Sequence, residues 1–538
     1  MKKINHFLIN NLILFLLFLT LSQTSYSQTF NDGIYKFGRV MGLVNTFYVD
    51  TVNQQKLVDD AIVQVLKDLD PHSIYISAKE VKEMNEPLQG SFDGIGIQFN
   101  IFNDTLLVVS PISGGPSKKV GILAGDRILT VDGENIAGVG IKNSQVFKLL
   151  RGKKGTKVTV GVKRKGVKRI LDFVITRDKI PIFSLDAAYM VSDEIGYIKL
   201  NRFAATSMDE YKKAFKKLKE KNVKKIILDL TNNGGGYMNT AIKLADEFLD
   251  DNKMIVYTQG INNPKEEYKS TKKGDFEDGQ IVIMVDEGSA SASEIVTGAI
   301  QDWDRGVVVG RRSFGKGLVQ RQYPLPDGSM IRLTIAHYYT PTGRCIQKPY
   351  KNGLKEYRMD LINRYNNGEL TNQDSIHFPD SLKYQTLIKH RSVYGGGGIM
   401  PDIFVPIDTT KITDYYTDLW RKGIPNKFVY KYVDDNRKKL TKQYSDFTMY
   451  NNEYEIDENT LHKFIKYAQK EGVAENKEEL NISKDVIKLQ LKALIASSLW
   501  GTSEYYQVIN QINPIFKKAV EVLDNPSLYN NKLTTIKN

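Results

Sequence analysis

Three short segments of this 538-residue chain carry residue types that suit acyl-transfer chemistry. In Gly288-Ser289-Ala290-Ser291-Ala292-Ser293-Glu294-Ile295, serines stand between a short apolar run and a helix-like run. A serine at a helix start has unpaired backbone N–H groups beside it, and the helix dipole favours negative charge developing there. A nucleophile with its oxyanion hole needs both. The same letters also spell a capping box, with Ser291 as cap and Glu294 reaching back, and locally the cap is the commoner use. The second segment is Asp229-Leu230-Thr231-Asn232-Asn233-Gly234-Gly235-Gly236. Glycines after a strand let backbone N–H groups turn toward a ligand. They could complete an oxyanion hole, bind phosphate or form a plain tight turn. Neither nucleotide-binding glycine pattern is present, which disfavours the phosphate reading. The third is Ser313-Phe314-Gly315-Lys316-Gly317-Leu318-Val319-Gln320. A serine hydroxyl needs a base, and a lysine serves if burial among Phe314, Leu318 and Val319 disfavours its charged form. His337 sits in the strand-like run 333–339 and reads as structural. The lone cysteine, Cys345, has no activating neighbour in sequence.

These loops need elements to hold them. Ile226–Leu230, Ile281–Val285 and Val307–Val309 are short apolar runs, the pattern of strands buried on both faces. Helical stretches from Tyr237 to about Leu249 and from Ala292 to about Asp302 separate them. Strand, loop, helix, strand points to βαβ units in a mostly parallel sheet, where loops at the strand carboxyl ends face a site. Upstream, residues 90–177 change to short strands and glycine turns, including Asp132-Gly133, a hairpin signal. Before that, Leu57, Ile62, Val65, Leu66 and Leu69 recur at helical steps until Asp70-Pro71-His72-Ser73 breaks the pattern.

Lys2 and Lys3, the apolar run Leu12–Leu21 and the small residues Ser25 and Ser27 predict a cleaved export signal over 1–27. A single cysteine excludes an intramolecular disulfide. The net charge of +13 comes from dispersed basic pairs such as Lys118-Lys119, without a nucleic-acid-binding signature. The expected organisation is a signal peptide (1–27), an N-terminal helical region (28–88), a β-rich module (89–177), an α/β core (178–408) and a C-terminal helical region (409–538).

The three segments, in this order and spacing, resemble the carboxyl-terminal processing (tail-specific) peptidases. In that resemblance Ser291 matches the nucleophile, Lys316 the general base and Gln320 the glutamine that assists them. Gly235 and Ala292 match the backbone donors of the oxyanion hole, with Gly236 the near alternative for the first. Asp70-Pro71-His72-Ser73-Ile74-Tyr75 looks like the family's segment before a PDZ domain. Gly94-Ile95-Gly96-Ile97 looks like the PDZ loop whose amides hold a peptide's terminal carboxylate. Pro341-Thr342-Gly343-Arg344 and Gly397-Gly398-Ile399-Met400-Pro401-Asp402 match later motifs. Thr231 departs from the pattern, since the family usually has arginine there.

The resemblance implies an α/β multi-domain fold: a crotonase/ClpP-like peptidase core, an inserted PDZ-like domain over 89–177, and helical N- and C-terminal regions. It implies an exported, periplasmic serine endopeptidase that selects protein substrates by their C-terminal tails, without metal or cofactor. Implied partners are proteins or peptides with accessible C-termini, with room for an adaptor protein and a homo-oligomer, and no nucleic acid. A non-catalytic PDZ scaffold and a CoA-thioester enzyme are the rival readings. Retained Ser291, Lys316 and Gln320 oppose the first, and the PDZ-like segment opposes the second.

Overall fold

The computed structural model describes residues 32–533, so the expected signal segment lies outside the described residues. After a helix over 32–47, α1 (Gln54–Leu69) leads into the short strand β1 (Ile74–Ile76) and then α2 (Ala78–Gln89). The Asp-Pro-His-Ser break between α1 and β1 is a built turn. The Asp70 carboxylate accepts the N–H groups of His72 (2.7 Å) and Ser73 (2.8 Å) and the Ser73 hydroxyl.

The β-rich module is a sheet ordered β2 (Ile97–Phe102), β3 (Thr105–Pro111), β4 (Arg127–Val131), β5 (Lys157–Lys163), β6 (Leu171–Thr176), with α3 (Asn143–Leu150) beside it. Its core is aliphatic: Leu106, Val108, Ile128, Val146, Val160 and Ile175 are fully buried. β2 is an edge strand, hydrogen-bonded on one side only, to β3. The module is tied to its neighbours at two places. Arg151, just past α3, donates to Glu86 of α2 (2.6 Å), and Arg127 of β4 pairs with Asp434 (2.9 Å) in the C-terminal helices.

The core sheet is ordered β7 (Leu185–Met190), β8 (Ile195–Leu200), β9 (Lys225–Asp229), β10 (Gln280–Val285), β11 (Val307–Gly310), then Ile403–Phe404. Only β7 runs antiparallel. The alternation of the strands explains why both faces are covered. Ile226, Leu228, Ile281 and Ile283 bury against α4 (Ser207–Lys219), α5 (Met238–Asp246) and α6 (Ala292–Asp302). Ile227, Val282 and Met284 point the other way and meet Ile515, Ala519 and Val522 of the C-terminal region. A second sheet, in which β12 (Leu318–Pro324) and β1 flank β13 (Met330–Tyr339), lies across the ends of the core.

The region read from sequence as one helical tail after 408 is two things. Residues 415–509 form a bundle with its own core, including Phe428, Tyr450, Phe464, Ile487 and Leu491. The helix Pro514–Asp524 returns to close the second face of the peptidase sheet, so the last segment is part of that core. The sheet needs the cover because a bare face of Ile, Val and Met would leave a large apolar patch in water.

Candidate active site

At the start of α6, Ser291 takes φ 56° and ψ −109°, a conformation far from the extended backbone of a helix cap. Its hydroxyl makes no hydrogen bond to the helix amides or to any other described residue. Half of the capping box survives: the Glu294 carboxylate accepts the Ser291 N–H (2.7 Å). The capping reading therefore fails for the Ser291 hydroxyl, which is left free, and the strained backbone is the cost of holding it out of the helix.

Glu294 does more than the sequence reading gave it. It is fully buried, and its two oxygens accept four bonds, from Ser291 N–H, the Ser313 hydroxyl (2.6 Å), Gly315 N–H (2.7 Å) and Lys316 N–H (2.9 Å). Burial raises its pKa, and the four donors oppose that rise. One carboxylate thus fixes the serine loop and the lysine loop to each other. Tyr338 of β13 makes the same connection from the other side, with its hydroxyl 3.1 Å from the Ser291 carbonyl and 2.6 Å from the Lys316 carbonyl.

Ser291, Lys316 and Gln320 line one cleft of about 510 Å³, together with Gly234–Gly236, Tyr237, Met238 and Tyr338. Burial first and the Arg332 charge second, against the opposing pull of Glu294 and Asp70, lower the Lys316 pKa to about 8. Among the described residues the only polar partner of its amine is the Gln320 carbonyl oxygen, at 2.9 Å. Gln320 is itself held, because its amide donates to the His72 carbonyl in the Asp-Pro-His-Ser turn. His72 is kept neutral, its pKa lowered to about 4 by burial and by nearby Lys316, and its Nε2 lies 2.6 Å from the Tyr357 hydroxyl.

The glycine loop abuts the serine. A Cβ on Gly235 would lie 2.8 Å from the Ala290 carbonyl oxygen and 2.9 Å from Ser291 Cβ, and its φ is 99°. Only glycine fits there. The Gly235 N–H donates to the Asn233 side-chain oxygen (2.9 Å) in this conformation. The Gly236 N–H donates to no described residue, and the Ala292 N–H, at the first helical position, has no intrahelical partner.

The later motifs brace this site without entering it. Ser313 N–H donates to the Ile399 carbonyl (3.0 Å), and the Ile399 N–H donates to the Ser313 hydroxyl (2.6 Å), so the Gly397–Asp402 segment holds the lysine loop from behind. Arg344 is fully buried against Asp302 (2.7 Å) at the far end of α6.

The Peptidase family S41 model matches residues 194–355, a PDZ domain model matches 94–173, and a family of unknown function matches 415–501. A carboxy-terminal-processing protease of Bartonella bacilliformis is 38% identical over 330 residues, 60% of this chain and 74% of the relative. The chain belongs to the carboxy-terminal-processing protease family. It is a serine-type peptidase with a PDZ domain. The carboxy-terminal processing protease CtpB of Bacillus subtilis is 34% identical over 319 residues, 58% of this chain, and the match spans 65% of that relative's length. The solved photosystem II D1 C-terminal processing protease is 28% identical over 57% of this chain and 88% of its own, with a TM-score of 0.33.

Thr231, which departs from the expected arginine, lies in a loop held by a cation from a neighbouring strand. Buried Lys199 of β8 donates to the Asp229 carboxylate (2.9 Å), the Thr231 hydroxyl (2.9 Å) and the Thr231 carbonyl. Thr231 in turn donates its hydroxyl to Asp229 (2.6 Å), which also accepts from Tyr197 (2.6 Å). The cation that fixes the loop comes from a neighbouring strand, a position no local motif would single out.

In the PDZ domain, Gly94, Ile95 and Gly96 are buried and Ile97 opens the edge strand. The Ile95 carbonyl accepts from Ser117 N–H (3.0 Å) and its hydroxyl (2.6 Å), and the Gly96 carbonyl from Ile112 N–H (2.9 Å). The N–H groups of Ile95 and Gly96 donate to no described residue. Phe99 of β2 meets Phe147 of α3 edge-to-face at 5.5 Å.

Cys345 lacks a sequence neighbour that could activate it, but folding brings His337 Nδ1 within 3.9 Å of its sulfur. Burial raises the thiol pKa, so the pair is not an activated thiolate.

Proposed function

We propose that this peptidase is an exported endopeptidase that holds protein substrates by their C-terminal tails and cleaves them with a Ser291/Lys316 dyad through an acyl-enzyme. One observation carries the reading: a serine hydroxyl on a strained backbone shares a cleft with a mostly buried lysine whose amine meets no carboxylate among the described residues. Such a lysine loses its proton around pH 8, well below free lysine, and then has a lone pair to offer.

In this mechanism Lys316 Nζ takes the Ser291 proton as Oγ attacks the scissile carbonyl carbon. The Ala292 N–H and a glycine-loop N–H, Gly236 as the loop stands or Gly235 if Asn233 releases it, hold the oxyanion. Collapse breaks the C–N bond, and the Lys316 ammonium protonates the leaving amine. Water, deprotonated by Lys316, then hydrolyses the ester. Gln320 directs one amine N–H away from the serine and leaves the lone pair facing it. Tails would add as a strand beside β2, with their carboxylate on the unpartnered Ile95 and Gly96 amides.

Export rests on the predicted signal at 1–27. A homo-oligomer is part of the proposal, because Ile34, Phe37, Val40 and Phe47 stay exposed on the helix over 32–47 at steps by which two copies of one helix can pair. Sedimentation should then show a concentration-dependent dimer that Phe37→Glu dissolves.

Hydrolysis of a disordered protein by the wild type, Ser291→Ala and Lys316→Ala tests the dyad. Only the wild type should cleave, and equal cleavage by all three would refute it. Amidating the substrate's C-terminus should raise KM, whereas unchanged turnover would remove tail capture. A requirement for cell extract would add an adaptor.

A further inference from the structure

The catalytic cleft contains a cation with no part in the dyad mechanism. Arg332 lies on β13 directly across from Gln322 of β12, next to the Gln320–Thr334 pair. Residues two apart share a strand face, so Gln320, Gln322, Arg332 and Thr334 project to the same side. Arg332 is half-buried and lines the cleft with Ser291 and Lys316. Among the described residues its guanidinium has one hydrogen-bond contact, a 3.2 Å approach to the Met84 thioether of α2. Among the described residues no carboxylate lies within ion-pair distance of it.

Other buried guanidiniums of the peptidase core meet an acid or a backbone carbonyl, although the Nε of Arg344 and Arg364 has no hydrogen-bond partner of its own among the described residues. Arg311 pairs with Glu287, Arg344 with Asp302, and Arg391 with both Asp304 and Asp402. Arg305, which has no acid, donates to the carbonyls of Phe248 and Phe276. A thioether is a weak acceptor and leaves most of the donors of Arg332 unmet. A half-desolvated cation in that condition is costly unless something completes it. The cleft supplies nothing of the kind: no acidic side chain lines it, and the other charged groups there are Lys316 and Arg321.

We propose that Arg332 is a specificity-determining residue that pairs with a carboxylate of the substrate segment lying across Ser291. The carboxylate is either an acidic side chain near the scissile bond or the substrate's own terminal carboxylate. The planar fork accepts a carboxylate through two parallel bonds, and in a partly dry cleft such a bond is stronger than in water. The inference rests on the dyad reading for where the substrate lies. The Arg332 charge also acts on Lys316, but that effect is blind to the substrate and so leaves a different signature.

The test uses full-length protein and quenched peptides of one apolar sequence with amidated ends. A single glutamate is moved through four positions on each side of the scissile bond, with a matched glutamine set. A second pair differs only in a free or amidated C-terminus. The wild type should favour glutamate at one position, or the free terminus, by about tenfold or more in kcat/KM. Arg332→Gln should bring that ratio close to one, and Arg332→Lys should keep part of it. Unchanged thermal melting and unchanged binding of a tail peptide to the PDZ domain confirm that the variants fold. Equal cleavage of both sets by the wild type overturns the proposal. So does an Arg332→Gln variant that slows both sets by one factor and moves the pH–rate profile upward, since Arg332 would then act only on Lys316. Binding of both sets to Ser291→Ala reads the same discrimination without turnover. A failed dyad and a failed Arg332 assignment therefore give different results.

Discussion

Two lysines are buried close to the active-site loops, and opposite partners hold them. Lys199, whose side chain is 5% exposed, is ion-paired with Asp229 and donates twice more to Thr231. Lys316 has lost much of its water as well, but its amine meets a single neutral acceptor on Gln320, and its pKa falls to about 8. Burial alone therefore does not make a base. What distinguishes the two is a carboxylate within bonding distance: Lys199 has one and is ion-paired, whereas the Lys316 amine meets none among the described residues and its pKa is lowered. Glu294 sharpens the contrast. It sits beside the lysine loop but spends its oxygens on the backbone of Ser291, Gly315 and Lys316 and on the Ser313 hydroxyl, and makes no ion pair with the amine.

Breaking each side of this comparison should give effects of different kind and size. Lys316→Met should lower kcat by about 10³-fold, within the range of a lost general base. It should melt no lower than the parent, since it removes a desolvated amine; a lower melting temperature would mean that Lys316 is structural. Asp229→Asn leaves Lys199 as an uncompensated buried charge. It should cost about 3 kcal/mol of stability in denaturant unfolding, and a cost near zero would show that the Lys199 pair does not brace the loop. Glu294→Gln replaces one carboxylate oxygen with an NH2 group that cannot accept. Either the Ser291 and Lys316 amides, which share one oxygen, or the Ser313 hydroxyl and Gly315 amide, which share the other, lose their acceptor, and kcat should fall about 10²-fold with KM little changed. Thr231→Val removes one hydroxyl from the Lys199 network and should cost about 1 kcal/mol, with kcat within about threefold of the parent. A larger kinetic loss would mean that Thr231 shapes the oxyanion loop directly.

The parts legible in the sequence are those whose cause is local. The runs at 226–230, 281–285 and 307–309 read as strands because a parallel sheet covered on both faces leaves no polar alternation. Ser291, Lys316 and Gln320 were found because motif spacing carried them, and the structure brings all three to one cleft. The unread parts depend on distant segments. Nothing near Ile515, Ala519 or Val522 says that their helix returns to close the peptidase sheet. A three-residue strand such as β1 gives no period to detect. Lys199 and Arg332 sit in strand-like runs where a lone cation looks like a solvated side chain. Glu294 reads in the sequence as half of a cap, and nothing local marks it as a buried hub. The free Ser291 hydroxyl could not be read at all, because the capping box and the nucleophile share the same letters and differ only in backbone angles.

The central claim is that Ser291 is activated by a neutral Lys316. Labelling by a serine-directed fluorophosphonate, followed across pH 6 to 10 with mass-spectrometric location of the adduct, tests it most directly. The adduct should fall on Ser291. Its rate should be low where Lys316 is protonated and should rise with pH to half its maximum near 8, far below the value of free lysine. Lys316→Ala should abolish that rise. An adduct elsewhere, or a Ser291 adduct whose rate ignores both pH and Lys316, would contradict the account.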